Sequence, residues 1–164
     1  MTLVTSYASH AEGSYCTLPN GTKRYGTASG YASHVEGGGC HATGSCSHAE
    51  GLATTVSGAQ SHAEGRYTIA ASGAQHVEGI ANIEDAEDKY IHIAGNGTSP
   101  TDRSNAYTLD WSGNAEFAGD VVAQGCSTEN TSISLIDVYT RVGLLETESS
   151  VEAIPSESIQ ALFS

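Results

Sequence analysis

The sequence predicts an all-β fold, a β-solenoid or β-roll built from 14-residue coils. Three observations lead to this prediction. A tetrapeptide returns at a fixed interval, a second glycine lies halfway between its copies, and small residues alternate with polar ones between the glycines. Such a pattern is typical of short strands that stack on the equivalent strands of the next coil.

The repeated tetrapeptide is His-[Ala/Val]-Glu-Gly. Its copies are His10–Gly13, His34–Gly37, His48–Gly51, His62–Gly65 and His76–Gly79. The last four copies recur with a 14-residue period, and the longer first gap, from His10 to His34, is one period plus an insertion of ten. The halfway glycines are Gly30, Gly44, Gly58 and, displaced by one position, Gly73. Because glycine reaches positive φ at little cost, we expect each seven-residue unit to be a short strand closed by a tight turn.

Alternation within a unit predicts which side chains face the core. In the unit 59–65, the small residues expected to point inward are Ala59, Ser61 and Ala63, and those expected to point outward are Gln60, His62 and Glu64. Thr54, Val56, Cys40 and Ala42 hold the matching inward places in neighbouring units. Small inward residues imply two strands that lie very close to each other.

A core of this kind is too thin for a lone chain. The protein has only 2 Phe and 1 Trp among its 164 residues. About four inward side chains per coil contribute on the order of 1 kcal/mol each, whereas ordering the backbone costs roughly 1–2 kcal/mol per residue. We therefore expect the chain to pack against copies of itself as a homotrimer.

Three regions follow from the pattern. Residues 1–81 form the repeat roll, interrupted by an insertion at 14–26 whose Leu18-Pro19-Asn20-Gly21 predicts a hairpin turn. Residues 82–126 predict a small β domain with strands at Tyr90–Ala94, Ala106–Trp111 and Ala115–Ala123, after an acidic stretch (Glu84–Asp88) interpreted as a solvated linker. Residues 127–164 predict a helical, trimerising C-terminal segment.

The repeats carry a family resemblance. The Ser-His-Ala-Glu-Gly units, with the intervening Thr27-Ala-Ser-Gly30, closely resemble repeats in tail-fibre and appendage proteins of phages that infect Gram-positive bacteria. The stretch that begins His92-Ile-Ala-Gly-Asn-Gly-Thr-Ser looks like the segment that follows these repeats in such proteins, so the resemblance covers about residues 6–125. The units also resemble, more loosely, the 14-residue repeats of YadA-type trimeric adhesin heads.

This resemblance implies a structural and receptor-binding part of a tail fibre or spike. Such a protein would sit on the virion tail, outward-facing, joined to other tail or baseplate proteins, and would contact a glycan or protein of the host surface. The alternative is the head fragment of a cell-surface trimeric adhesin. An adhesin would need a secretion signal and an anchor, and neither is found in this stretch.

Charge and motifs argue against several other functions. A net charge of −13 argues against nucleic-acid partners. The sequence contains no run of 18 apolar residues, so we expect no membrane insertion. We expect no enzyme activity and no cofactor, because the repeated histidines offer the same environment several times whereas catalysis needs groups placed around one centre. The four cysteines (Cys16, Cys40, Cys46, Cys126) are expected to be free thiols, with disulfides between chains as the alternative.

Two sets of candidate site residues remain. Tyr15, Lys23, Arg24 and Tyr25 in the insertion are candidate receptor contacts, with a solvated loop as the plainer interpretation. No metal is predicted, and the candidate ligands if one binds are His48, Glu50, His62 and Glu64. The favoured role of the outward His and Glu is mutual hydrogen bonding, which would raise the pKa of the histidines, whereas unpaired stacking would lower it.

Overall fold

Two β-sheets face each other across one narrow core in the computed structural model, which describes residues 2–121. The described residues form strands and turns and no helix, and the predicted helical segment 127–164 lies outside them. The strands are β1 (Leu3–Val4), β2 (His10–Ala11), β3 (Cys16–Thr17), β4 (Lys23–Arg24), β5 (Thr27–Ala28), β6 (His34–Val35), β7 (His41–Ala42), β8 (His48–Ala49), β9 (Thr55–Val56), β10 (His62–Ala63), β11 (Ile69–Ala70), β12 (His76–Ile80), β13 (Tyr90–Asn96), β14 (Asn105–Asp110) and β15 (Ala115–Phe117).

Each coil gives one strand to each sheet. The five-stranded sheet has the order β1-β5-β7-β9-β11, and the eight-stranded sheet has the order β15-β14-β13-β12-β10-β8-β6-β2. Ala63 pairs in parallel with Ala49 on one side and Val77 on the other. Positions one period apart therefore stack directly, which confirms the predicted β-solenoid and its coil length.

The insertion leaves this stacking undisturbed. His10 pairs with His34 in the same register as later coils, although the insertion lies between them in sequence. The extra residues form the antiparallel hairpin β3–β4, in which Cys16 pairs with Arg24. The turn is closed by a hydrogen bond from the amide of Gly21 to the carbonyl of Leu18 at 2.8 Å, as the sequence predicted.

The two glycines of each coil have different roles. Gly51, at the end of its tetrapeptide, has φ of 98°, and a Cβ there would overlap the carbonyl oxygen of Gly65. The halfway Gly44 does not have positive φ, contrary to expectation; Cys46, two residues later, takes the left-handed conformation with φ of 55°. Gly44 is needed for close approach instead, because a Cβ would overlap the carbonyl oxygen of Gly58.

The core contains small side chains from both sheets. Its members are Ala28, Val35, Cys40, Ala42, Ala49, Val56, Ala63, Ala70, Val77 and Ile93. Val56 lies on β9, which contacts both β8 and β10, so the valine is placed between Ala49 and Ala63. The inward positions of Thr54 and Ser61 are also buried. Ser61 donates a hydrogen bond to the carbonyl of Gly58 at 2.5 Å.

One inward assignment is wrong. Ala59 is exposed, whereas Ser61 and Ala63 are buried and Gln60 points outward as predicted. Gln60 has φ of 59°, so the chain turns between Gly58 and Ser61. The alternation of a strand therefore does not extend back to Ala59.

The strands after the repeats continue the same sheet. β13 pairs in parallel with β12, placing His92 beside His76, and β14 and β15 then add in antiparallel fashion. The predicted turn at 112–114 is present, where the side chain of Asp110 accepts hydrogen bonds from the amides of Ser112 and Asn114 at 2.9 and 2.8 Å. Trp111 and Phe117 are 48% and 55% exposed, so they do not pack into a core within this chain.

Polar side chains close the end of the five-stranded sheet. The Asn82 side chain accepts a hydrogen bond from the Ile69 amide (2.8 Å) and donates to the Ile69 carbonyl (3.0 Å), as the backbone of a further coil would do. Asp85 is buried and accepts hydrogen bonds from the Gln75 side chain (3.0 Å) and the Tyr90 amide (2.8 Å). The interpretation of Glu84–Asp88 as a solvated linker is therefore wrong at Asp85. Its carboxylate satisfies groups that the end of the repeat leaves unpaired.

Within one chain, the three described cysteines are free thiols. Cys16 and Cys40 are buried and Cys46 is exposed. Burial raises the pKa of the Cys16 thiol, and the nearby Arg24 guanidinium partly opposes this. Cys126 lies outside the described residues.

Candidate functional site

Six imidazole rings form a continuous stack along the eight-stranded sheet. The rings of His10, His34, His48, His62, His76 and His92 follow one another with centroid separations of 5.0, 4.6, 4.7, 5.1 and 5.0 Å. We call these six residues the histidine column. Each strand contributes one ring because the parallel register repeats the same position in every coil. The stacked rings are about as far apart as the strands themselves.

The sequence pattern missed His92 as a member of the column. In this coil Ala94 replaces the glutamate of the tetrapeptide, and the interval from His76 to His92 is two positions longer than the regular period. The only features of the tetrapeptide that this coil keeps are its histidine and the glycine three residues later, Gly95. Tyr107 extends the column beyond His92 with an edge-on contact, at 5.6 Å between ring centroids.

The glutamates lie between the histidines of successive coils. Glu50 has one carboxylate oxygen 4.0 Å from Nε2 of His48 in its own coil and the other 3.8 Å from Nε2 of His62 in the next coil. Glu78 lies 3.4 Å from Nε2 of His92 in the next coil. The histidine of the same coil was expected to be the nearest neighbour of each glutamate. For Glu50 and Glu78 the histidine of the next coil is nearer. These side chains are half-buried, between 28% and 44% exposed.

The pKa shifts oppose the favoured hypothesis of His–Glu pairing. Burial, followed by the neighbouring rings of His62 and His34, lowers the pKa of His48. Burial and His76 likewise lower the pKa of His62. Pairing with glutamate was expected to raise these values, and the attraction of Glu36 and Glu64 is too weak to reverse the effect of desolvation.

Like charges along the column affect the carboxylates as well. The pKa of Glu50 is raised, chiefly by its side-chain interaction with Glu36, then by burial and by the charges of Glu36 and Glu64. Stacked imidazoles lie here beside crowded carboxylates. Such a face attracts cations.

Three of the four candidate metal ligands come together. One ligand atom each from His48, Glu50 and His62 lies within 4.8 Å of the others, and His34, Glu36 and His48 form a second group of the same kind. Glu64 is not in either group; it lies 3.3 Å from Nε2 of His76.

The insertion hairpin presents an aromatic and cationic surface. The rings of Tyr15 and Tyr25 are 5.6 Å apart, and Nζ of Lys23 lies 4.6 Å from the centre of the Tyr15 ring. Tyr15 and Tyr25 are 43% and 42% exposed. The structure therefore brings three of the four candidate receptor contacts into one exposed cluster, which we call the hairpin cluster (Tyr15, Lys23, Tyr25).

Arg24, the fourth candidate, turns toward the solenoid. Its guanidinium donates hydrogen bonds to the carbonyls of Ala53 (2.6 Å) and Thr54 (3.0 Å) and to the hydroxyl of Thr55 (2.7 Å). It also lies beside His41, whose pKa is lowered first by burial and then by this charge. Arg24 therefore fastens the hairpin to the five-stranded sheet.

A cleft next to the hairpin was not predicted. It encloses about 230 Å³, and its lining includes Leu18, Pro19 and Asn20 of the hairpin and Ser99, Pro100 and Thr101. Arg24 and Arg103 also line it. Arg103 donates hydrogen bonds to the carbonyls of Tyr67 (2.8 Å) and Asn82 (2.9 Å). Because its walls come from segments that are far apart in sequence, no local motif indicates it.

Comparison with protein-family models, curated proteins and solved structures gives no significant match for this chain. Among the described residues, none lies in a helix long and apolar enough to cross a membrane.

Proposed function

We propose that this chain is a structural and receptor-binding segment of a phage tail fibre or spike and that it works as a homotrimer. The observation that carries the proposal is the repeat solenoid itself, a stack of coils whose core is only two small side chains thick. Stacked coils lengthen a protein in one direction without thickening its core. Such an arrangement suits a fibre.

Exposed apolar side chains support the trimer. Ile83, Trp111 and Phe117 are 53%, 48% and 55% exposed in the single chain. Large apolar residues on the outside of so thin a core are candidates for burial between copies. Three-fold packing would add the buried area that the narrow core lacks.

The hairpin cluster supports the receptor-binding part of the proposal. Tyr and Lys side chains that project from a rigid scaffold contribute flat apolar surface and hydrogen-bond donors, which suit a host glycan or a host protein. Arg24 supports this role indirectly, because it holds the hairpin in place through the contacts described above. The other proposed partners are tail or baseplate proteins of the virion.

Oligomeric state is the first test. Native mass spectrometry of the purified chain at micromolar concentration is expected to give three times the 16.9 kDa of one chain. A folded monomer that persists at that concentration would refute the fibre architecture.

Binding to cells is the second test. The fluorescently labelled protein is expected to sediment with intact cells of some strains in a panel of Gram-positive bacteria. The variant Tyr15→Ala/Lys23→Ala/Tyr25→Ala should lose this binding. A matched control is Tyr7→Ala/Tyr31→Ala, which removes another exposed stacked pair with ring centroids 6.0 Å apart.

The outcomes separate the proposal from its alternative. Binding to animal-cell surfaces or matrix proteins, with none to bacteria, would favour the head of a trimeric adhesin. A trimer whose binding is unaffected by the triple variant would keep the structural role and exclude the hairpin cluster as the receptor contact.

A further inference from the structure

We propose that the histidine column holds one divalent transition-metal ion per chain, with Zn²⁺ as the best-matched ion, at His48 together with its neighbouring histidine and glutamate. The two possible ligand sets are His48, Glu50 and His62, and His34, Glu36 and His48. The proposal is independent of the oligomeric state and of the receptor, because every ligand belongs to one chain.

The distances are close to those that a metal ion imposes. Tetrahedral ligands about 2.0–2.1 Å from Zn²⁺ are roughly 3.3 Å from one another. The carboxylate oxygens of Glu50 are 4.0 Å from Nε2 of His48 and 3.8 Å from Nε2 of His62. The His48 and His62 rings lie nearly parallel, at 3°, with centroids 4.7 Å apart, so both rings must tilt toward each other before their in-plane lone pairs meet at one ion beside Glu50.

The imidazole nitrogens give an independent reason. Nε2 of His34, His48 and His62 is buried in each case and has no hydrogen-bond partner. A buried polar atom without a partner costs free energy, so its position requires an explanation. Nε2 of His76 and His92 also lacks a partner; three of these five nitrogens belong to the proposed ligand sets, where a metal ion would satisfy two of them at once.

The electrostatics of the site favour the same conclusion. Glu36, Glu50 and Glu64 occupy the same position of three successive coils, so their negative charges lie on one face and repel one another. A doubly charged cation would relieve this repulsion.

The shared histidine sets the stoichiometry. His48 belongs to both ligand sets, and its Nε2 can bind only one ion. The two sets are therefore alternatives, and one ion per chain is expected. Two other His–Glu pairs in the described part of the chain lie close together: Glu64 is 3.3 Å from Nε2 of His76, and Glu78 is 3.4 Å from Nε2 of His92. Neither pair belongs to a group of three candidate ligands.

The ligand types select the metal. Two imidazoles and one carboxylate suit Zn²⁺, Ni²⁺ or Cu²⁺, whereas Ca²⁺ and Mg²⁺ prefer sites made of oxygen atoms alone. Three protein ligands leave the fourth tetrahedral position to water.

The test uses the full chain without a histidine tag, stripped of metal with EDTA and dialysed. Cys46→Ser and Cys126→Ser are included so that these thiols do not compete for the ion. Binding of zinc chloride is measured by isothermal titration calorimetry, and bound zinc is counted by elemental analysis after gel filtration. His48→Gln removes both ligand sets, and His76→Gln is the matched control because it takes one ring from the same column outside both sets.

The expected result is one zinc per chain, an affinity weakened at least about ten-fold by His48→Gln, and an affinity unchanged by His76→Gln. Glu36→Gln/Glu50→Gln should weaken binding in the same way, because it leaves both sets without a carboxylate. Far-UV circular dichroism establishes that each variant is folded. Absence of zinc binding at about 100-fold excess over micromolar protein, equal loss in His48→Gln and His76→Gln, or calcium chloride binding as tightly as zinc would each overturn the proposal.

Discussion

The carboxylate of Glu64 lies 3.3 Å from Nε2 of His76, which belongs to the next coil of the solenoid. This contact links successive coils through side chains in addition to the backbone ladder. It does not fully satisfy the imidazole, because Nε2 of His76 still lacks a hydrogen-bond partner. Stacked rings and His–Glu contacts both link successive coils on this face of the eight-stranded sheet.

The histidine column predicts how stability depends on pH in the metal-free protein. The pKa of His48 and His62 is lower in the folded chain than in the unfolded chain, mainly through burial and secondarily through the rings beside them, including His34 and His76. A histidine with a lowered folded pKa contributes stability above its unfolded pKa of about 6.5 and loses it as the pH falls toward the folded value. The nearby Glu36 and Glu64 reduce this effect without cancelling it.

With EDTA present, the melting temperature should therefore fall between about pH 8 and about pH 5.5, a range that brackets the reference histidine pKa. The variant His48→Gln/His62→Gln should show a flatter profile. Glu50, whose pKa is raised, acts in the opposite direction: it costs stability as the pH rises above about 4.5. A melting temperature that rises toward pH 5.5 would mean that His–Glu pairing dominates after all.

A pair of glycines tests the close approach of successive coils. A Cβ at Gly58 would overlap the carbonyl oxygen of Ser72, whereas a Cβ at the displaced Gly73 would meet only the Ala59 carbonyl, at an ordinary 3.6 Å. Gly58→Ala should destabilise the protein by about 3 kcal/mol, the upper part of the range for overpacking. Gly73→Ala should be neutral or stabilising by about 0.4–1 kcal/mol, because it only reduces the freedom of the unfolded chain.

Urea denaturation of both glycine variants measures these differences. Equal losses of stability in Gly58→Ala and Gly73→Ala would contradict the finding that a Cβ has room at Gly73 but not at Gly58.

The coil length and register could be predicted because they depend on the repeated positions alone. A single period, fixed by the glycines, determines which residues stack, and Ala49 and Ala63 are buried as that period requires. Ala59 was misplaced because a turn interrupts the alternation, and its start depends on the left-handed conformation of Gln60. The periodicity of a strand cannot indicate such a turn.

The ends of the repeat and the candidate site were harder to predict for a different reason. Asp85 is buried and its carboxylate accepts hydrogen bonds from the Gln75 side chain and the Tyr90 amide, whereas an acidic stretch in a sequence usually indicates a solvated segment. His48, Glu50 and His62 were named as metal candidates from chemistry. The contact of Glu50 with His62 of the following coil depends on the side-chain rotamers, which the 14-residue period does not specify.

Asn82 provides a test of how the five-stranded sheet ends. Its side chain exchanges two hydrogen bonds with Ile69 and donates a third to the Ile83 carbonyl at 2.9 Å. Asn82→Ala should cost about 2–4 kcal/mol, because it leaves the backbone of Ile69 without partners. Hydrogen exchange of the Ile69 amide should accelerate in the same variant.

The matched control for this cap is Asn20→Ala. Asn20 accepts one hydrogen bond, from the Thr22 amide at 3.0 Å, in the exposed hairpin turn. It should change stability by less than about 1 kcal/mol. An unchanged exchange rate at Ile69 in Asn82→Ala would mean that the side chain is not the cap.

The complementary sizes of Val56 and Ala63 give the last prediction. The two residues are fully buried and lie on contacting strands of opposite sheets. Val56→Ala should cost about 2 kcal/mol through lost burial, and Ala63→Val should cost about 1–3 kcal/mol because two valines would then face each other. The swap Val56→Ala/Ala63→Val keeps the total core volume, so its loss should be smaller than the sum of the single losses by at least about 1 kcal/mol. Urea denaturation of the three variants measures this coupling. Purely additive losses would show that the two side chains do not share one space in the core, and the two-layer packing of the solenoid would have to be assigned differently.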